Sequence, residues 1–185
     1  MAVNMVSIRV QLSGVRPLMF DRYAGDNSTQ LPVSEKMYLT PERALVLPAL
    51  NVYGMLASED KSVVKQFFGK QAKTIALGIK SYTSIDPFEI PILDNDGPVV
   101  FNGFNDQIQR HYATARVRKA ALSIPMPKER PVLSLPWRLD FTVQYQENRH
   151  CTLENLRQCF EYGGIVGLGT FRPFFGRYEL SEWEY

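Results

Sequence analysis

From Trp137 to Tyr145 the chain alternates without a fault. Trp137, Leu139, Phe141, Val143 and Tyr145 fall on one parity and Arg138, Asp140, Thr142 and Gln144 on the other. A period of two held over that length predicts a half-buried strand. The segment that follows, "TLENLRQCFEYGG", predicts a helix with both ends written in its residues. Thr152 suits the N-cap, Leu153, Leu156, Cys159 and Phe160 make an apolar stripe, and Gly163-Gly164 supplies left-handed backbone at the end. Beyond a glycine-rich loop, "FGRYELSEWEY" predicts a last strand. There Phe175, Arg177, Glu179 and Ser181 alternate only imperfectly with Tyr178, Leu180 and Trp183.

The N-terminal half begins in the same way. In "VSIRVQLSGVRPLMF", Val6, Ile8, Val10 and Leu12 alternate with Ser7, Arg9, Gln11 and Ser13, another half-buried strand. Residues 21–31 are rich in Asp, Asn, Ser, Thr and Gly and read as an exposed loop. "MYLTPERALVLP" predicts a short hairpin and then a helix with Pro48 in its first turn and Leu50, Tyr53, Met55 and Leu56 on its apolar face. A further helix carries Val63, Val64, Phe67 and Phe68, with Lys61 and Lys65 on its wet side. "GIKSYTSIDPFEIPIL", "DNDGPVVF" and "ATARVRKAALSIP" read as extended pieces joined by turns, Asp96-Gly97 being the strongest turn signal. The expected class is α+β, a ferredoxin-like β-α-β-β-α-β core with additional hairpins. At 185 residues the chain suits one domain, residues 1–185, with an inserted β-rich segment around 86–131.

Composition removes several classes of function. A formal net charge of +2 gives no global field for nucleic acid or membrane, so any electrostatic signal has to be local. Two acid-free basic runs qualify, Lys61 to Ile85 and Arg110 to Lys119. Two cysteines and two histidines are too few for a structural zinc site, and the thiols are expected reduced. "GLGTFR" follows a helix and opens a strand, the reverse of a dinucleotide loop, and no G-K-[ST] is present. Asp94, Asn95 and Asp96 lack the terminal Glu of a calcium loop. No cofactor or metal is therefore expected. No run of eighteen apolar residues suggests a membrane span, and an intracellular, cytoplasmic protein is the expectation.

Two stretches remain as binding candidates. In "GGIVGLGTFRPFFGRYEL" the glycines let backbone approach a sugar-phosphate chain, with Gly167 and Gly169 in the loop. Arg172 and Arg177 supply charge, and Phe171, Phe174, Phe175 and Tyr178 supply stacking surface. The plainer alternative is a tight reversal with core phenylalanines. In "RHYATARVRK", Arg116 and Arg118 share one strand face, with Arg110, His111 and Lys119 nearby. The alternative there is a solvated face. His111 is a weak catalytic candidate, since a metal-independent ribonuclease also needs a second acid or base from Tyr53, Tyr112 or Lys119.

The helix, glycine loop and final strand in "ENLRQCFEYGGIVGLGTFRPFFGRYEL" resemble the RAMP superfamily, the ferredoxin-like RNA-binding subunits and processing nucleases of CRISPR systems. "ALVLPALNVYGMLAS" is similar to the lead into the first helix of such proteins, and "IRVQLSGVRPLMFDR" to the first strand and its exit. The whole length also resembles small bacteriophage and prophage proteins. The RAMP resemblance places Gly167, Gly169 and Arg172 in a loop against nucleic acid. It implies a non-catalytic binder of single-stranded nucleic acid, RNA ahead of DNA, that assembles with copies of itself or other subunits. An endoribonuclease using His111 and a phage protein engaging a host defence complex are the alternatives.

Overall fold

A computed structural model describes residues 4–26, 29–58, 61–119 and 122–185, with backbone alone at 115–119 and 122–124. One antiparallel sheet has the order β3 (Val46–Pro48), β5 (Glu89–Leu93), β8 (Arg138–Gln146), β1 (Met5–Gly14), β9 (Tyr178–Glu184), and β4 (Thr83–Asp86) joins it on β8. A second, three-stranded sheet has the order β2 (Leu18–Met19), β7 (Leu122–Leu133), β6 (Ile108–Lys119). The fold is thus mixed α/β with antiparallel sheets. The alternation that predicted β1 and β8 is explained by burial. Ile8, Val10 and Leu12 pack with Leu139, Phe141, Val143 and Tyr145 on the face covered by α1 (Ala49–Ala57), α2 (Val63–Phe67), α3 (Ala72–Tyr82) and α4 (Leu153–Val166). Cys151 and Cys159 are buried free thiols, as expected.

Several boundaries differ from the sequence reading. Pro48 precedes α1 and pairs with Glu89, and the helix buries Ala49, Val52, Met55 and Leu56 while Leu50 is 64% exposed. "GIKSY" is the end of α3 rather than an extended piece. Its buried residues Ala72, Ile75 and Ile79 recur at helical spacing, and Gly78 packs where an added Cβ would lie 2.7 Å from the Cys151 backbone nitrogen. The five lysines of this region, Lys61, Lys65, Lys70, Lys73 and Lys80, are all exposed on the helical layer.

Thr152 caps α4 reciprocally, its Oγ1 accepting from Asn155 N at 3.1 Å while Asn155 Oδ1 accepts from Thr152 N, an arrangement that stabilises by about 1 kcal/mol. The helix does not stop at Gly163-Gly164 but runs to Val166, and Gly167, at φ 84°, ends it. Gly163 is inside the helix because the Tyr178 hydroxyl lies against it on its way to Phe160 O at 2.8 Å.

The imperfect alternation of the last strand has a local cause. Gln11 faces Glu182 and Leu12 faces Leu180, so Ser181 is the extra residue of a β-bulge on an edge strand. In the small sheet, Phe20 N donates to Pro131 O, so the odd-numbered backbone groups of β7 point away from β6. Pro125 and Pro127 share that parity, and their missing N–H groups cost no ladder bond there.

Candidate nucleic-acid interface

The glycine loop is tied down by its own backbone. Leu168 N donates to Gly176 O at 2.9 Å, Thr170 N to Met19 O at 3.0 Å and Gly176 N to Pro17 O at 2.8 Å. The loop therefore clips the C-terminus of α4 to β2, where the two sheets meet. Gly167 and Gly169 have positive φ, and side chains there would strike Phe175 O and Met19 O respectively. Their glycine identity follows from these internal approaches, and the N–H groups of Leu168, Thr170 and Gly176 are occupied by protein carbonyls.

The two loop arginines turn inward. Arg172 Nη1 donates to Gly167 O and Arg177 Nε to Gly164 O, both at 3.5 Å. Burial lowers the Arg172 pKa from its ordinary value. What the loop offers outward is aromatic. Phe174 is 66% exposed and Phe171 41% exposed, their rings 6.3 Å apart.

The second candidate stretch comes to the same place. His111, in β6, meets Phe175 edge to face with ring centroids 5.4 Å apart. Directly opposite His111 on β7 is Arg130, whose guanidinium lies 5.7 Å from the Phe171 ring. Arg130 is buried and donates from Nε to Asp21 Oδ2 at 2.8 Å, while its Nη1 is buried with no partner among the described residues. Lys128 pairs with the same Asp21 oxygen at 3.7 Å. Lys36, from the 3₁₀ turn Val33–Lys36, donates to Glu129 O at 2.6 Å. Desolvation lowers the Lys36 pKa, with Asp21 opposing and Lys128 and Arg130 reinforcing the shift. Lys36, Lys128 and Arg130 thus form a cationic cluster beside the aromatic loop, with Asp21 and Glu129 as its carboxylates and His111 opposite Arg130.

Arg110 and Tyr112 have the opposite parity to His111. Arg110 reaches Glu129 at 3.4 Å and lies 4.5 Å from the Phe104 ring, and Tyr112 is 71% exposed. Arg116, Arg118 and Lys119 lie in β6 opposite Pro125, Ser123 and Leu122, and their side chains lie outside the described residues. Of the candidate second acids or bases for His111, Tyr53 donates to Thr83 O and Tyr112 falls on the other face of β6. His150 stacks on Tyr82 with centroids 6.0 Å apart.

Sequence reasoning missed Lys36, Lys128, Arg130 and Asp21. Lys128 and Arg130 are two apart in "PKERP", the same spacing that drew attention to Arg116 and Arg118. Lys36 carries no comparable signal, because its contact with Glu129 spans 93 residues. Among the described residues no group of His, Cys, Asp and Glu is arranged to hold a metal, and no helix is long and apolar enough to cross a membrane.

No protein-family model matches the chain, and no curated protein matches it in sequence. Among solved structures it is similar to a chain in the cryo-EM structure of the Type III-B Cmr-beta bound to cognate target RNA. The TM-score is 0.61 at 13% identity, over 97% of this chain and 60% of that one. The chain thus spans 60% of the length of that neighbour. The likeness is one of fold.

Proposed function

We propose that this protein is a non-catalytic binder of single-stranded nucleic acid, RNA ahead of DNA, that works with other protein subunits or further copies of itself. The observation that carries the reading is the cluster of Lys36, His111, Lys128 and Arg130 beside the exposed Phe171 and Phe174. Cations follow a phosphate backbone and exposed rings stack bases, the two requirements of a single-strand site. The solved neighbour is a chain in a structure described as bound to target RNA, which agrees with this reading. The strand order β9-β1-β8-β4 supports reading the chain as a ferredoxin-like core, and on that reading residues 86–131 are an insertion within a single domain. In the proposed site Lys119 continues the His111 parity of β6, Arg110, Arg116 and Arg118 form a second basic strip on the other parity of the hairpin, and Gly167, Gly169, Arg172 and Arg177 hold the aromatic loop in place.

Protein freed of nucleic acid and titrated into a labelled single-stranded RNA tests the reading. Binding should weaken with salt, and reversing Lys36 and Lys128 together to Glu should weaken it and flatten the salt slope. Reversal of Arg116 and Arg118 should do the same. Binding with an unchanged slope in both double variants would place the nucleic acid elsewhere. RNA cleavage without metal that stops in His111→Ala would replace the non-catalytic reading.

A further inference from the structure

Beside the glycine loop lies a cleft of about 180 Å³ lined by Phe20, Asp21, Tyr38, Leu47, Asn51, Gly169 and Thr170. Its composition is divided. Phe20 and Leu47 are buried and apolar, whereas the side chains of Tyr38, Asn51 and Thr170 are half-buried and have no hydrogen-bond partner among the described residues. Asp21 meets both of its cations through Oδ2, which leaves Oδ1 as an acceptor. An apolar wall with a rim of unanswered donors and acceptors suits a small, flat, polar group. A phosphate is disfavoured because the Asp21 carboxylate would face it. A nucleobase meets every term, since it presents an apolar face to one side and a hydrogen-bonding edge to the other.

We infer that this cleft receives one unpaired base of the bound strand, and that it takes a base bearing an exocyclic amino group in preference to uracil. The inference rests on the proposed single-strand site. The preference follows from Asp21. A carboxylate oxygen only accepts, and the amino groups of cytosine and adenine donate, whereas uracil presents carbonyl oxygens at the corresponding edge. Asn51 and the hydroxyls of Tyr38 and Thr170 can both donate and accept, so they complete the edge of either amino-bearing base. The carboxylate is held by Arg130 on its other oxygen, which fixes its aim. Thr170 is likewise positioned by its backbone bond to Met19 O, on the loop that carries the stacking rings.

The experiment is a titration of the full chain into labelled short oligocytidine, oligoadenosine and oligouridine under one salt condition. Oligouridine is expected to bind about tenfold more weakly than the other two, the scale of one charge-assisted hydrogen bond. Asp21→Asn, isosteric but able to donate, should narrow that gap. Thr170→Val leaves the Asp21 to Arg130 pair intact and should narrow it too, so the result does not depend on one variant folding. Equal affinity of the unaltered protein for all three strands would overturn the cleft while leaving the single-strand reading in place. So would a gap that survives in both variants when thermal melts show them folded. Failure to bind any of the strands would remove the single-strand reading, and the cleft with it.

Discussion

The open face of the large sheet and the junction of small sheet and glycine loop are both polar, and they carry opposite charge. On the first, register places Asp86, Asp140, Glu179, Glu182 and Glu184 together with only Arg9 and Arg138. Its shallow hollow is lined by Ser7, Arg9, Asp86, Asp140, Thr142 and Glu184, with Tyr185 its one exposed ring. On the second, Lys128 and Arg130 pair with the Asp21 carboxylate and Lys36 lies within its field, beside two exposed phenylalanines. A sheet with helices on one side and a bare face on the other suggests the bare face as a binding platform. Here acids occupy that face and repel phosphate. The difference teaches that the strand order of a fold does not say which of its surfaces is used.

The contrast can be broken most strongly through Asp21. Asp21→Ala leaves the buried Arg130 guanidinium without its carboxylate, and the expected loss is about 3 kcal/mol in urea denaturation. A loss below about 1 kcal/mol would mean that Arg130 finds water, and that the junction is looser than the geometry implies. Phe174→Ala should spare stability, because the ring is exposed, and weaken single-strand binding by about 1–3 kcal/mol in an anisotropy titration. Lys128→Glu alone should lower affinity while reducing the salt slope by about one unit. On the acidic face, Arg9→Gln should change stability by less than about 1 kcal/mol and binding not at all, because its pair with Glu182 is exposed at 3.7 Å.

The core between these surfaces supplies a test in pH. Burial pushes the Cys151 thiol up from 9.0 to about 12, and Cys159 higher still. Between about pH 9 and 12 the unfolded thiols lose protons that the folded ones keep, so stability should fall as pH rises through that window and be unaffected by these groups below it. Cys151→Ala should reduce the steepness of that fall in melts recorded across the window.

Elements with one wet face were legible in the sequence. β1 and β8 were read correctly because each residue reports its side by parity, and the start of α4 because Thr152 and Asn155 close a local cap. α3 was missed and its end was read as extended, since the approach of Gly78 to Cys151 is a tertiary contact that leaves a glycine looking like a breaker. For the same reason Gly163 looked like a stop. In the site, His111 and the glycine loop were each singled out, but their meeting through Phe175 spans 64 residues and has no local trace. Arg130 and Asp21 stayed hidden because a buried ion pair is indistinguishable in sequence from two surface charges.

The bulge at Ser181 makes the length of β9 a separate variable from its composition. Between Leu180 and Trp183 the chain carries one residue more than the pleat uses, and Ser181 fills the gap by sharing a hydrogen bond with Ser13 Oγ at 2.9 Å. Removing Ser181 outright would restore strict alternation, with Tyr178, Leu180 and Trp183 still facing the helices and Glu179, Glu182 and Glu184 still outside. Removing Glu179 would put Tyr178 and Leu180 on opposite sides. A shortened chain can therefore keep this strand in phase at one point and lose it two residues earlier, a distinction that no substitution at either position would reveal.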